Sequence, residues 1–137
     1  MGMYTGLRFE AKLTPLAAKA ITLLNTTHYD TEGVEPWDEV AALYPEFDLK
    51  EWCKVERKNL FPFGRVLYMP DNWEEESKSI IKGLWWEVNC SLKNYEEEIE
   101  EFLSSVLPQL ISEECEVETC YEEDNYSNFL IILPIKQ

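Results

Sequence analysis

The amino-acid sequence predicts an α+β fold of the ferredoxin-like kind, with a mainly antiparallel sheet, helices on one face and an added C-terminal hairpin. Three observations predict it: several short segments alternate apolar and polar residues, two helical segments open with proline, and one stretch changes abruptly from a strand period to a helix period. The resulting order β-α-α-β-β-α-β-β matches a split β-α-β arrangement extended by one strand. With 137 residues, 45% of them hydrophobic, the chain is expected to form a single domain over residues 1–137.

The first half of the chain begins with a strand and continues with two helices. Apolar and polar residues alternate over Tyr4–Leu13, which predicts a strand with one face in water. Thr14 and the following proline predict the start of a helix over Pro15–Leu24. The segment Asn25–Glu35 has no period and is predicted to be a loop, in which the lone His28 is a surface residue or, less simply, an acid–base group. A second short helix is expected from Pro36 to Tyr44.

The middle of the chain gives weaker signals. Asp48 is placed to cap one helical turn that contains Trp52, and Cys53–Arg57 is compatible with a short strand. Arg65–Met69 is predicted to be a strand that ends at a Pro-Asp-Asn turn. Glu74–Gly83 is rich in charge and is interpreted as a connection to the next strand.

A strand and a helix meet near residue 94, and the rest of the fold is organised around them. Alternation predicts a strand over Leu84–Leu92. Asn94 is a suitable N-cap, Glu97 is placed to complete a capping box, and one wide apolar stripe then predicts a helix over Tyr95–Ile111. Pro108 lies inside this stripe and is expected to kink or restart the helix.

Two further strands are predicted after this helix. Cys115–Glu122 alternates, with its glutamates on the outer side, and a connection over residues 123–128 leads to Phe129–Leu133. That last segment is apolar on both sides, as in a strand that is covered on both faces or that contacts a partner. Pro134 predicts that its far end lies at a sheet edge.

The sheet has a second face that the predicted helices do not cover. Trp85 and Trp86 are consecutive strand residues, so their rings are expected to point to opposite faces. Either Trp85, together with Trp73, forms an exposed aromatic contact for a partner or for a second copy of the chain, or a loop such as Asn72–Gly83 folds over this face. Both alternatives remain open at this stage.

Charge is distributed unevenly along the chain. The formal net charge is −15, of which −2 lies in residues 1–70 and −13 in residues 71–137. Such a field repels nucleic acid and anionic membranes and attracts basic protein surfaces, including those that hold nucleic acid. The expected partner is therefore a protein with a basic surface, with no direct nucleic-acid or membrane binding. Because the chain lacks a long apolar run and a signal-peptide pattern, we expect a cytoplasmic protein.

The sequence gives little indication of catalysis. Nucleophile-elbow, phosphate-loop, dinucleotide-binding and zinc-protease patterns do not occur in it, so we expect no enzyme and no cofactor. Cys53, Cys90, Cys115 and Cys120 are interpreted as reduced and mostly buried thiols. Cys115 and Cys120 are five residues apart on one strand and are expected on opposite faces, so neither a disulfide nor a metal site is predicted.

Two groups of residues are candidates for binding. The candidate protein-binding surface is acidic and consists of Glu96, Glu97, Glu100, Glu101, Glu116, Glu118 and Glu122. The helix glutamates among them are also explained by an ordinary solvated helix face. The alternative is an anion site made by the basic cluster of Lys54, Arg57, Lys58 and Arg65. Those cations are equally explained by salt bridges to the surrounding carboxylates.

Three strings of residues resemble a family of small acidic accessory proteins of tailed phages and prophages. They are MYTGLRF at the start, NLFPFGRVLYMPDNW at 59–73, and CSLKNYEEEIEEFLSSVLPQL followed by CYEED. The resemblance implies an inhibitor of host defence or host metabolism, and it assigns no catalytic residue. The leading hypothesis is therefore a non-enzymatic inhibitor that binds a host protein, with a defence-system component as one candidate. The alternatives are a protein that sequesters a nucleotide signal, and a phage-encoded hydrolase or nuclease whose carboxylates converge on a metal.

Overall fold

The computed structural model describes residues 4–27, 36–55, 65–94, 97–124 and 126–135. The predicted loop with His28 falls largely outside these ranges. In chain order the elements are β1 (Tyr4–Lys12), α1 (Pro15–Thr27), α2 (Pro36–Leu43), α3 (Lys50–Cys53), β2 (Lys78–Lys82), β3 (Trp85–Lys93), α4 (Glu98–Glu101), a π-helical turn (Phe102–Val106), α5 (Leu107–Leu110), β4 (Cys115–Tyr121) and β5 (Asn128–Ile132).

The strands form one sheet of five in the order β2-β3-β1-β4-β5, and every neighbouring pair is antiparallel. β1 lies at the centre, where it pairs with all of β3 and with residues 117–121 of β4. β2 and β5 are the two edges of the sheet. The predicted α+β class and the antiparallel sheet are therefore confirmed.

Aromatic rings of the helices pack against aromatic rings of the central strands. The alternation along β1 and β3 buries Phe9 and Trp86, whose ring centres lie 5.2 Å apart. Phe102 of the π-helical turn lies 6.2 Å from the ring of Phe9 and 6.1 Å from that of Trp86. The rings of Trp37 of α2 and Trp52 of α3 also lie near Phe102, with ring centres at 6.0 and 5.7 Å. These buried rings form the centre of the hydrophobic core.

The helix after β3 is capped by Asn94, although not in the predicted way. The side-chain oxygen of Asn94 accepts a hydrogen bond from the backbone N–H of Ile99 at 2.9 Å. Its amide nitrogen donates to both carboxylate oxygens of Glu100, a side-chain contact that differs from the capping box predicted with Glu97. Glu97 has a left-handed backbone (φ 54°), and α4 begins only after it, three residues later than predicted.

Pro108 interrupts the same helix, as the sequence predicts. A helical proline has no N–H to donate and leaves a carbonyl of the preceding turn without its usual bond. Phe102–Val106 forms a π-helical turn that ends two residues before Pro108, and the N–H of Leu107 donates to the carbonyl of Phe102. The side chain of Gln109 donates to the carbonyl of Ser105 at 2.7 Å, which pairs a carbonyl near the interruption.

Three predictions for the middle of the chain are wrong. Arg65–Met69 is not a strand: Tyr68 has a left-handed backbone (φ 63°), and only an isolated bridge joins Arg65 to Glu76. Cys53–Arg57 is described as far as residue 55, and residues 53–55 form the end of α3 and a turn instead of a strand. Glu74–Gly83 is not merely a connection, because it contains β2, which pairs in register with β3.

Candidate functional site

The face of the sheet opposite the ring of Phe9 carries polar side chains. Residues that alternate with Phe9 along β1, and their partners on neighbouring strands, point away from the core. We call this side the open face and describe it by two rows that cross the sheet. The first row is Lys78, Asn89, Arg8, Glu118 and Phe129. The second consists of two paired groups that border the same cavity, Ile80, Glu87 and Glu10 on one side and Glu116 and Ile131 on the other.

Arg8 and Glu118 form the centre of the first row. The Nε and Nη2 atoms of Arg8 donate to the two carboxylate oxygens of Glu118, at 2.6 and 3.1 Å. The hydroxyl of Ser127 donates to the same carboxylate at 2.6 Å. Burial raises the pKa of Glu118, but the hydrogen bonds from Arg8 and Ser127 outweigh it and hold the pKa below its usual value. Glu118 is thus committed to contacts within the fold.

The segment that precedes β2 covers one end of the open face. Trp73 is only 4% exposed, and the guanidinium carbon of Arg8 lies 3.9 Å from the centre of its ring. A Cβ atom on Gly6 would lie 2.5 Å from Met69 Sδ and 2.8 Å from Trp73 Cζ2, so any larger residue at this position would force these side chains to shift. The prediction of Trp73 as a partner contact is therefore wrong, because its ring is buried against the sheet.

Lys78 and Asn89 continue the first row towards β2. Lys78 Nζ lies 2.7 Å from Glu74 Oε2 and 3.2 Å from Glu87 Oε2. The hydrogen bond to Glu74 is the main cause that raises the pKa of Lys78, although burial opposes it. Asn89 is 2% exposed and donates to the carbonyls of Glu74 and Glu76, at 3.2 and 3.1 Å. Its side-chain oxygen accepts no hydrogen bond from any residue that the structure describes.

A shallow cavity of about 250 Å³ lies along these rows. It is lined by Arg8, Phe9, Glu10, Glu74, Lys78, Glu87, Val88, Asn89, Glu116, Glu118 and Phe129. Five carboxylates face two cations there, and both cations already have carboxylate partners. Glu10 and Glu116 are exposed and form no ion pair within the described ranges. Glu10 also lies directly opposite Glu87 across β1 and β3, a like-charge pair that destabilises the sheet.

The edge strand β5 borders this cavity and is largely apolar. Phe129 is 61% exposed and Ile131 55%, and both lie on the open face, opposite Glu118 and Glu116 of β4. Leu130 is exposed as well, on the other side of the strand. The sequence suggested that this strand is covered on both faces or that it contacts a partner. The described part of the chain does not cover it on both faces, so the partner contact stays a prediction.

The predicted helix carboxylates lie on the other side of the sheet. Phe102 follows Glu101 directly and contacts Phe9, whose ring points away from the open face. Glu97 and Glu100 are exposed, and Glu96 lies outside the described residues. The structure therefore does not join the helix glutamates and the β4 glutamates into the single acidic surface that the sequence suggested.

The two β4 candidates, Glu116 and Glu118, and Glu122 just beyond the strand differ in their surroundings. Glu116 is exposed at the cavity, whereas Glu118 is held by Arg8. Glu122 accepts a hydrogen bond from the backbone N–H of Tyr4 and so closes the end of the β1–β4 pairing. Glu116 is thus the β4 carboxylate best placed to meet a partner.

The remaining predicted contacts are only partly described. Trp85 is 41% exposed, as the alternation with Trp86 predicts, and it stays a candidate for an aromatic contact. In the proposed anion site, Lys54 lies 3.1 Å from Glu51 and Arg65 is exposed beside its bridge to Glu76. The other two members, Arg57 and Lys58, lie outside the described residues, so that site remains a prediction.

Cysteine and metal chemistry add little to this picture. All four cysteines carry thiols, three of them buried, and Cys115 and Cys120 lie on opposite faces of β4 as predicted. Burial, with a smaller effect of the charge on Glu98, raises the pKa of the Cys90 thiol. Burial also raises the pKa of Cys115 to about 11. The described residues contain no group of three or more His, Cys, Asp or Glu side chains arranged to hold a metal ion.

Sequence reasoning missed most of the residues that line the cavity. Arg8, Glu10, Glu87 and Asn89 were assigned only to the water-facing sides of two strands. A signal in the sequence was available, because these residues form the polar sides of two strands, β1 and β3, that pair with each other at the centre of the sheet.

Within the described ranges, no helix combines the length and the apolar character needed to cross a bilayer. No family model, curated protein or solved structure matches the chain.

Proposed function

We propose that the chain is a non-enzymatic accessory protein, of the kind that tailed phages encode, which binds and inhibits a host protein with a basic surface. A component of a host defence system, acting in the cytoplasm, is the target class that we favour. The phage context and the inhibitory role are supported by the resemblance of three strings, whereas the binding mode is supported by the open face of the sheet.

One observation carries the proposal: an acidic cavity lies directly beside an exposed apolar strand. Glu10 lies opposite Glu87, a like-charge pair, and Glu116 lines the same cavity, so a cation from a partner would reduce the repulsion there. Phe129 and Ile131 provide the apolar area that a protein interface needs at its centre. Acidic and apolar groups placed side by side are suited to a partner that presents lysine or arginine next to aliphatic side chains.

We also propose that the fold is a ferredoxin-like variant with helices on one face. The order β2-β3-β1-β4 with antiparallel neighbours, and with helices between β1 and β2 and between β3 and β4, supports this assignment. β5 is then the added strand, and its position at the edge brings it next to the acidic cavity.

Affinity capture from the host cell tests the proposal. The wild-type chain and a Glu10→Gln/Glu116→Gln variant are used as baits, and captured proteins are identified by mass spectrometry. We expect the wild type to enrich a protein with a basic surface and the variant to lose it. The matched control is Glu113→Gln/Glu114→Gln, which removes two exposed charges from the turn before β4 and is expected to retain the partner.

The purified pair then provides a second test. Association is expected to slow steeply as salt is raised from about 50 to about 500 mM, because screening removes the attraction between exposed charges. Binding that is indifferent to ionic strength, or equal loss in both glutamine variants, would show that the acidic cavity is not the binding surface.

No described residue favours a second function. The nucleotide-signal alternative needs Lys54, Arg57, Lys58 and Arg65 to converge, and only the first and last of them lie in described segments. The hydrolase alternative needs carboxylates that converge on a metal, and the cavity carboxylates do not form such a group. Thermal-shift screening with linear and cyclic nucleotides tests the first alternative directly.

A further inference from the structure

The two edges of the sheet differ in how they are protected. An exposed strand edge offers unpaired backbone N–H and C=O groups, and proteins usually blunt it with lysine, proline or a bulge. β2 begins and ends with lysine, at Lys78 and Lys82. β5, with the sequence NFLII, contains no charged residue, and its outer side pairs with no other strand that the structure describes.

β5 is also held in place before any partner arrives. The turn that leads into β5 is held by a hydrogen bond, which the hydroxyl of Ser127 donates to the Glu118 carboxylate. Beyond the strand, the backbone N–H of Ile135 donates to the carbonyl of Pro108 at 2.9 Å. A strand that is anchored at both ends loses little conformational freedom on binding, which favours association.

We infer that β5 receives an extended segment of the partner as a sixth strand. The segment carries Lys or Arg on the side of the open face and apolar residues on the side of Leu130. This inference rests on the proposed function and specifies how the partner docks. Main-chain hydrogen bonds to β5 would supply affinity, and the alternate side chains would supply specificity.

The chemistry of the incoming strand follows from what borders β5. Neighbouring strands lie about 4.8 Å apart, so Glu116 on β4 is about 10 Å from the incoming backbone. The stem of a lysine or arginine spans much of that distance while it covers Phe129 or Ile131, which leaves its charge beside Glu116. A second copy of this chain would instead bring another −15 net charge and an uncharged strand to the same edge. Charge complementarity therefore selects a basic segment.

Peptide binding to edge variants tests the inference. The probe is a peptide of about eight residues that alternates Lys and Val, and a Glu–Val peptide of equal length is the charge control. The edge variant is Ile131→Lys, and the matched control is Ile80→Lys. Ile80 lies on the open face of the opposite edge and, like Ile131, is paired with a glutamate of the neighbouring strand. Both sites are exposed, so the two variants are expected to fold and carry the same charge.

The expected result is that the Lys–Val peptide binds wild type and Ile80→Lys equally and binds Ile131→Lys about tenfold more weakly, with no binding of the Glu–Val peptide. Bound peptide should slow amide hydrogen exchange in residues 128–132. Absence of Lys–Val binding at millimolar concentration, or equal weakening in both lysine variants, overturns strand addition. So does a wild-type dimer that Ile131→Lys converts to monomer, because a second copy then occupies the edge.

The same set of proteins separates this inference from the proposed function. If Glu10→Gln/Glu116→Gln weakens binding and Ile131→Lys does not, the acidic cavity binds the partner without strand addition. If Ile131→Lys weakens binding and the glutamine variant does not, strand addition occurs without the proposed charge recognition. That second result would overturn the basic character of the incoming segment.

Discussion

Arg8 and Glu118 are 110 residues apart in the chain and form a two-point ion pair across β1 and β4. Arg8 also donates from Nη1 to the carbonyl of Asn72 at 3.1 Å and lies against the ring of Trp73. One side chain thus links the two central strands, the covering segment before β2 and, through Ser127, the turn into β5. The shape of the acidic cavity depends on this contact, because both partners line it.

Replacement Arg8→Met should destabilise the fold by about 2 kcal/mol, because it leaves the partly buried Glu118 carboxylate without its charged donors. Urea unfolding followed by tryptophan fluorescence measures the change. Lys19→Met is the control, since Lys19 is an exposed residue of α1 that loses the same charge, and we expect a change within about 0.5 kcal/mol. Equal effects of the two substitutions would contradict a structural role for the ion pair.

Stability should also depend on pH through Glu118. Its pKa in the folded chain lies below the ordinary value of 4.5, so its contribution is present above that value and is lost as pH falls through the folded pKa. Glu118→Gln should therefore lower the free energy of unfolding at pH 6. As the pH falls from 6 to 3, the free energy of unfolding should decrease less in this variant than in wild type. Parallel pH profiles of the two proteins would contradict the assigned shift.

The close packing at Gly6 gives a prediction about the covering segment. Gly6→Ala places a methyl group against Met69 Sδ, which is able to move, and against the rigid ring of Trp73. We expect a destabilisation of about 1–3 kcal/mol, as for other overpacked sites, with a change in near-ultraviolet circular dichroism as Trp73 is displaced. Gly83→Ala should leave that tryptophan signal unchanged, because the space around Gly83 is open and only its left-handed backbone is strained. An unchanged spectrum for Gly6→Ala would contradict the proposed cover.

Local periodicity predicted the strands whose two faces differ in polarity. The sequences of β1, β3 and β4 alternate apolar and polar residues because one side of each strand packs on the aromatic core, although the polar residues Asn89 and Ser91 of β3 are also buried. β2 was missed because a solvated edge strand that carries lysines has almost the composition of a loop. Arg65–Met69 has residues typical of a strand, yet it is not extended. Its backbone is left-handed at Tyr68, and the N–H of Leu67 donates to the Ser91 hydroxyl instead of to a neighbouring strand.

The candidate site was harder to predict than the fold because its members meet through strand order. Nothing local in the sequence places Arg8 beside Glu118 or Glu10 beside Glu87, since those contacts depend on the order β2-β3-β1-β4-β5 and on its register. The sequence suggested joining the helix and β4 glutamates because both are acidic. The sheet lies between them, so charge alone was a poor guide to position.

Thiol reactivity offers a test of the core. Cys53 is only partly buried, whereas Cys90, Cys115 and Cys120 are buried, and burial raises the pKa of both Cys90 and Cys115. A thiol-reactive probe should therefore modify Cys53 first and reach the other three only as fast as the chain opens. Cys53→Ser should abolish the fast phase. A fast phase that persists in this variant would contradict the burial of the remaining thiols.

The acidic cavity predicts opposite effects on stability and on binding. Glu10→Gln/Glu116→Gln removes two carboxylates from a row in which Glu10 already faces Glu87, so we expect the free energy of unfolding to rise by about 0.5 kcal/mol. The same variant should bind the Lys–Val peptide more weakly and with a smaller dependence on salt, because the attraction that these two charges provide is lost. The control Glu113→Gln/Glu114→Gln removes equal charge from the exposed turn before β4 and should change the peptide affinity less. If the cavity variant is less stable than wild type, the carboxylates are structural, and the repulsion from which a cationic partner was inferred is absent.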